Sequence, residues 1–126
     1  MTMAIRVMVV DDTQHVREML ATMLELDGFD VVSKAAGGAD AVDEVEASEP
    51  NVIVMDYKMP RMDGLEATRR IRELAPGIPV ILYTAYLDAD LEARAKEAGV
   101  ALCVGKVEGL EQLEKLISEM CIELMG

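Results

Sequence analysis

Ile5-Arg6-Val7-Met8-Val9-Val10-Asp11-Asp12 is an apolar run that stops abruptly at two carboxylates. A second run, Val52-Ile53-Val54-Met55, stops the same way at Asp56, and a third, Val80-Ile81-Leu82-Tyr83, stops at Thr84. Short, nearly unbroken apolar runs rich in β-branched residues read as strands buried on both faces, the kind found in parallel sheets. If these strands lie side by side and parallel, their terminal residues meet at one edge of one sheet. That edge then gathers Asp11, Asp12, Asp56, Thr84 and, from a later strand, Lys106.

The segments between the runs are helical in pattern. Asp12-Thr13 reads as an N-cap for a helix with Val16, Met19, Leu20, Met23 and Leu24 at helical spacing, ended by Gly28. A strand over Asp30 to Ala36 follows, then a turn at Gly37-Gly38 and a short acidic helix with Val42 and Val45 on one face, ending before Pro50. Beyond Asp56, the loop Tyr57 to Gly64 leads into a helix capped by Asp63, with Leu65, Thr68 and Ile71 facing inward, that runs to about Leu74 before Pro76-Gly77. A fourth helix over Asp88 to Ala98 carries Leu91, Ala95 and Ala98 and stops at Gly99; a weaker strand over Ala101 to Val104 reaches Gly105-Lys106. The last helix has the clearest stripe: Leu110, Leu113, Leu116, Ile117, Met120, Cys121 and Leu124.

Strands alternating with helices predict an α/β fold: a flavodoxin-like (βα)5 arrangement, a doubly wound five-stranded parallel sheet of order 2-1-3-4-5, as one domain over residues 1–126. In such sheets ligands bind beyond the carboxyl ends of the strands where the winding reverses, here between the first and third strands. Asp11, Asp12 and Asp56 end those two strands.

Composition narrows the function. The formal net charge of −12, from 24 acidic and 12 basic side chains, opposes direct binding to nucleic acid. No stretch has the length and apolarity of a membrane span and the N-terminus lacks a signal-peptide layout, so the expected location is cytoplasmic, with no membrane partner. Cys103 in a strand and Cys121 on a helical stripe read as reduced structural thiols, and His15 as an exposed helix residue.

Two carboxylates about 4 Å apart repel by roughly 4 kcal/mol at an effective dielectric near 20, so a trio needs compensation. A divalent cation supplies it, and carboxylate, carbonyl and water ligands suit Mg²⁺ beside a phosphoryl group. One carboxylate is then left to act as a nucleophile toward phosphorus, with an ammonium and a hydroxyl meeting the transferred oxygens. Asp56, alone at its strand end, is the best placed.

Val9-Val10-Asp11-Asp12, Val54-Met55-Asp56-Tyr57-Lys58-Met59-Pro60-Arg61-Met62-Asp63-Gly64, Thr84-Ala85 and Lys106, in this order and at these spacings, resemble the response-regulator receiver domain of two-component signalling, whose fold is that of the chemotaxis regulators. The resemblance covers essentially the whole chain. It implies that Asp56 accepts a phosphoryl group from a histidine kinase or phosphotransfer protein. It further implies that Asp12, Asp56 and the Lys58 backbone carbonyl ligate Mg²⁺ with Asp11 acting through water, and that Thr84, Lys106 and the Ala85 N–H contact the phosphoryl group. Such a protein is not an enzyme beyond its own phosphorylation from a phosphodonor and its own dephosphorylation. Its output partner is expected on the face made by the fourth helix, fifth strand and last helix.

Two residues depart from the family pattern. Cys103 stands where members usually carry an aromatic residue that turns inward with the threonine, and Val107 replaces a proline that often follows the lysine. Readout is therefore expected to rely more on Tyr86, Leu87 and the last two helices. The other readings weighed are a receiver belonging to a longer transcriptional regulator and a phosphorylation-independent scaffold. An aspartate-nucleophile phosphatase needs an aspartate two positions after its nucleophile, where Asp11 is followed by Asp12-Thr13, and Gly99 to Lys106 has the wrong spacing for a P-loop.

Overall fold

The computed structural model describes residues 4–125, with side chains through Ile122; Leu124, on the expected stripe, therefore has its side chain outside the described residues. The elements follow the expected alternation: β1 (Arg6–Val10), α1 (Gln14–Leu26), β2 (Asp30–Ala35), α2 (Gly38–Ser48), β3 (Val52–Met55), α3 (Gly64–Leu74), β4 (Val80–Thr84), α4 (Ala89–Ala98), β5 (Leu102–Gly105) and α5 (Leu110–Met125). One short 3₁₀ turn, Lys106–Glu108, joins β5 to α5 and had no counterpart in the sequence pattern. The sheet order is β2-β1-β3-β4-β5, and every neighbouring pair is parallel. Strand ends moved by one residue at most from expectation: β1 begins at Arg6, β2 stops at Ala35, and β5 is shifted to Leu102–Gly105.

Alternation along each strand sorts the core into two layers. Met8, Val10, Ile53, Met55, Val80 and Leu82 face α2, α3 and α4, where they meet Val45, Leu65, Ile71 and Leu91. Val7, Val9, Val52, Val54, Ile81 and Tyr83 face α1 and α5, where they meet Leu20, Leu24, Leu113, Ile117 and Cys121. The two-sided cover explains why β3 and β4 are buried at every position and why their sequences carry no polar alternation. Of the methionines, Met8, Met55 and Met59 fill the core, whereas Met19 and Met23 of α1 are exposed.

The helix ends locate the site. Asp63 caps α3 as expected, its carboxylate accepting from the Leu65 and Glu66 N–H groups at 2.9 Å each, and Asp88 caps α4 through Leu91 N–H at 2.8 Å. With Asp88 in that role, Thr84 is free of any capping duty on α4. At α1 the expectation needs correcting. Thr13 occupies the N-cap position without a side-chain cap bond, and it is Asp11 whose Oδ1 accepts from the Thr13 N–H at 2.9 Å. Asp12 is exposed and caps nothing among the described residues.

Candidate functional site

Register brings the acids together. Val10 pairs with Met55 in the sheet, and the Asp56 N–H donates to the Val10 carbonyl at 2.9 Å, so the residues just past the ends of β1 and β3 are neighbours. Asp11, Asp12 and Asp56 each place a carboxylate oxygen within 4.8 Å of the others. On the other side, Thr84 pairs with Gly105, which sets Lys106 one step beyond the sheet edge. Its ammonium reaches back to Asp11 Oδ2 at 3.2 Å and Asp56 Oδ1 at 3.8 Å. Asp11 itself is a buried carboxylate held by that ammonium and by the Thr13 N–H.

Asp56 is poised electrically. Its side chain is only 14 % exposed. Burial is the largest influence on its carboxyl and pushes it from 3.8 up to about 6; Lys106 and the Tyr57 N–H pull down, while Asp11 and Asp12 push up. Oδ1 accepts from Tyr57 N–H at 2.9 Å, and Oδ2 has no hydrogen-bond partner among the described residues.

A tight contact fixes Asp56 from behind. A Cβ built on Gly64 would overlap the Asp56 carbonyl oxygen, and the Gly64 N–H donates to the Tyr57 carbonyl at 2.8 Å. Only glycine lets the first turn of α3 lie against the strand end this closely. The motif Asp63-Gly64 could have signalled this, since a cap followed by glycine costs helix stability unless something needs the space.

Thr84 is fully buried, and its Oγ1 accepts from the Tyr86 N–H at 3.2 Å. Its own hydrogen remains available to a new acceptor. Lys58 is exposed, and its ammonium lies 4.6 Å from the centre of the Tyr86 ring, a contact not foreseen in the sequence. Tyr57 is faced in turn by the Arg94 guanidinium of α4 at 5.8 Å. A cavity of about 610 Å³ opens beside Asp12, lined by Gly37, Gly38, Pro60, Arg61 and Met62.

The donor set fits a hard divalent cation. Three clustered carboxylates against one ammonium leave two negative charges uncompensated. Oxygen ligands of that charge, partly open to water through exposed Asp12, match the preference of Mg²⁺ for a few carboxylates plus retained waters.

The acidic cluster, with the Lys106 ammonium and the Thr84 hydroxyl beside it, lies at the topological switch point of a doubly wound sheet, where such folds bind their ligands. Residues 7–118 match the response regulator receiver domain, and the chain belongs to that family. Its relatives include the response regulator GacA of Pseudomonas aeruginosa, 36 % identical over 117 residues that make up 92 % of this chain and 55 % of that one. Another is a protein-glutamate methylesterase/protein-glutamine glutaminase of Geobacter metallireducens, 41 % identical over 109 residues, 83 % of this chain and 31 % of the relative. The chain thus spans between about a third and about half of the length of these relatives. Among solved structures, a LuxR-family two-component response regulator from Aurantimonas superposes with a TM-score of 0.90 at 30 % identity, covering 96 % of this chain and 87 % of that one. The chemotaxis protein CheY4 of Vibrio cholerae superposes with a TM-score of 0.85 at 25 % identity, over 93 % and 98 % of the two chains. The chain is therefore a receiver domain of two-component signalling, a class that works through phosphorylation.

Proposed function

We propose that the chain, as one receiver domain over residues 1–126, takes a phosphoryl group on Asp56 from the phosphohistidine of a histidine kinase or phosphotransfer protein in the cytoplasm, and changes its affinity for an output partner. The observation that carries this reading is the meeting of Asp11, Asp12 and Asp56 within 4.8 Å, with the Lys106 ammonium 3.2 Å from the first and 3.8 Å from the last. A scaffold with no phosphorylation chemistry has no need of a buried carboxylate, a raised acceptor and a converging ammonium.

In the transfer, Asp56 Oδ2 attacks phosphorus, the bond from phosphorus to the imidazole nitrogen breaks, and that nitrogen keeps the electron pair and takes a proton from solvent. The transferred group carries its negative charge on oxygens that Lys106 is placed to meet, and Thr84 has a hydroxyl hydrogen left to donate. Asp12, Asp56 and the Lys58 carbonyl would hold Mg²⁺, with Asp11 acting through water. The ion supplies neutralisation of the acidic cluster and of the developing phosphoryl charge. Gly64 keeps the Asp56 backbone fixed while its side chain reacts.

Output follows from population shift: the phosphoryl group adds up to about two negative charges, and contacts made in only one arrangement of the rim favour that arrangement. The face of α4, β5 and α5 is the proposed reporting surface, with Tyr86 and Leu87 at its edge. The test is incubation with Mg²⁺ and acetyl phosphate followed by intact-mass measurement. Wild type gains the mass of one labile phosphoryl group, and Asp56→Asn does not. Equal uptake by the variant would sink the assignment, as would multiple turnover of the donor with no protein adduct.

A further inference from the structure

The Lys106 ammonium has a third neighbour besides Asp11 and Asp56: the ring of Tyr83, whose centre lies 5.8 Å from Nζ. Tyr83 comes just before Thr84 at the end of β4 and pairs in register with Val104, two residues ahead of Lys106. The ring and the ammonium therefore meet at one corner of the sheet. In the layer against α1 and α5, the strand residues beside it, Val52, Val54, Ile81 and Val104, are aliphatic. Tyr83 is 9 % exposed and brings a polar hydroxyl into that row. Burial pushes the hydroxyl's pKa up and Lys106 pulls it back, so the charge of the ammonium is felt at the phenol.

We propose that Tyr83 is a positioning residue whose ring seats the Lys106 ammonium at the acidic cluster and keeps it there when a divalent cation occupies the carboxylates. The inference rests on the acceptor role of Asp56. The ring touches none of the reacting atoms and acts through Lys106. The ammonium makes one hydrogen bond among the described residues, to Asp11 Oδ2 at 3.2 Å; Asp56 Oδ1, at 3.8 Å, attracts it by charge alone. Both attractions weaken once a divalent cation shares the carboxylates, and the cation itself repels the ammonium. An aromatic face is a neutral partner, so its hold does not depend on what the carboxylates carry. Without it, a lysine on a flexible stem, with 26 % of its side chain exposed, is free to turn to water as the metal enters. At 5.8 Å the contact lies near the outer limit of such pairs, so it shifts the seated population by about two- to fivefold.

Two measurements separate this role from packing. Proton NMR of wild type, in chelator and again with saturating Mg²⁺, should show nuclear Overhauser contacts between the Lys106 ε-methylene and the Tyr83 ring protons in both states. Their absence in chelator overturns the seat, and their loss on adding Mg²⁺ overturns its persistence in the metal-bound state; both results are read in wild type and stand even where a variant does not fold. With Mg²⁺ and acetyl phosphate, the initial uptake rate should fall about two- to fivefold in Tyr83→Leu and stay near wild type in Tyr83→Phe, which keeps the ring. In a Lys106→Met background, Tyr83→Leu should slow uptake no further, because the ring then has no ammonium to hold. The same loss with and without the lysine means that the side chain only fills the core, and a Tyr83→Phe as slow as Tyr83→Leu removes the ring as the seat; either overturns the proposal. Wild type that takes up no phosphoryl group overturns the acceptor reading and the uptake role together, whereas normal uptake left unchanged in Tyr83→Leu overturns the role of Tyr83 alone.

Discussion

Replacing Asp56 with asparagine should stabilise the metal-free domain, and only where the carboxyl would be ionised. In the folded chain this carboxyl is raised from 3.8 to about 6, chiefly by burial. A group whose folded affinity for protons is raised makes the native state bind more protons than the unfolded one, so stability is lost as pH rises from about 4 to about 6. At about 1.4 kcal/mol per tenfold in proton affinity, the ceiling on that loss is roughly 3 kcal/mol. Water reaching the 14 % exposed side chain screens part of it, which leaves about 1–2 kcal/mol. Asparagine keeps an oxygen for the Tyr57 N–H and removes the charge. Urea unfolding in chelator, followed by far-ultraviolet circular dichroism, should therefore find Asp56→Asn more stable than wild type by about 1–2 kcal/mol at pH 8, with the gap closing below about pH 4.5. Saturating Mg²⁺ should stabilise wild type more than the variant, since binding at about 100 times the dissociation constant is worth about 2.7 kcal/mol. A variant that is no more stable at pH 8, or whose advantage is the same at every pH, would refute the reasoning.

Further outcomes follow from the same geometry. Gly64→Ala should cost about 1–3 kcal/mol in urea unfolding, because the added methyl overlaps the Asp56 carbonyl, and the acetyl phosphate reaction should slow with it. Lys106→Met should lower metal-free stability by about 1–3 kcal/mol by leaving buried Asp11 without its charged partner, with part of the loss recovered on adding Mg²⁺. Far from the site, Glu114 of α5 is raised from 4.5 to about 7, by burial first and then by the neighbouring Asp27 carboxyl, and its Oε2 is buried with no partner among the described residues. Native Glu114 therefore holds its proton more tightly than the unfolded chain does, and stability falls as pH rises through that range; Glu114→Gln should be the more stable form above pH 7 and indistinguishable from wild type near pH 4, in the same urea assay.

Much of the fold was legible because each signal was strong locally. Buried strands with no polar alternation announced two-sided cover, and Gly28 and Gly99, both with positive φ, ended α1 and α4 where the pattern placed them. The cluster at residues 11, 12, 56 and 106 followed from strand order alone, since parallel register at Val10 and Met55 leaves the next residues nowhere else to go. What escaped was set by geometry at the scale of one side chain. Which of Asp11 and Asp12 turns inward depends on the angle at which the chain leaves β1, and a pair of adjacent carboxylates does not reveal it. The 3₁₀ turn that aims Lys106 has no periodicity to read in three residues. The contact between Lys58 and Tyr86 depends on two loops whose separation is fixed only by the sheet beneath them.

Lys106 and Asp11 are 95 positions apart in the sequence and hydrogen-bonded in space. During synthesis, a ribosome that has exposed the first three strands presents the acid trio with no Lys106 ammonium to balance it, and β5 must dock before Asp56 acquires its counter-charge. A chain clipped before β5 keeps the three carboxylates but loses the ammonium that balances them, so the charge balance of the cluster reports that the sheet has closed.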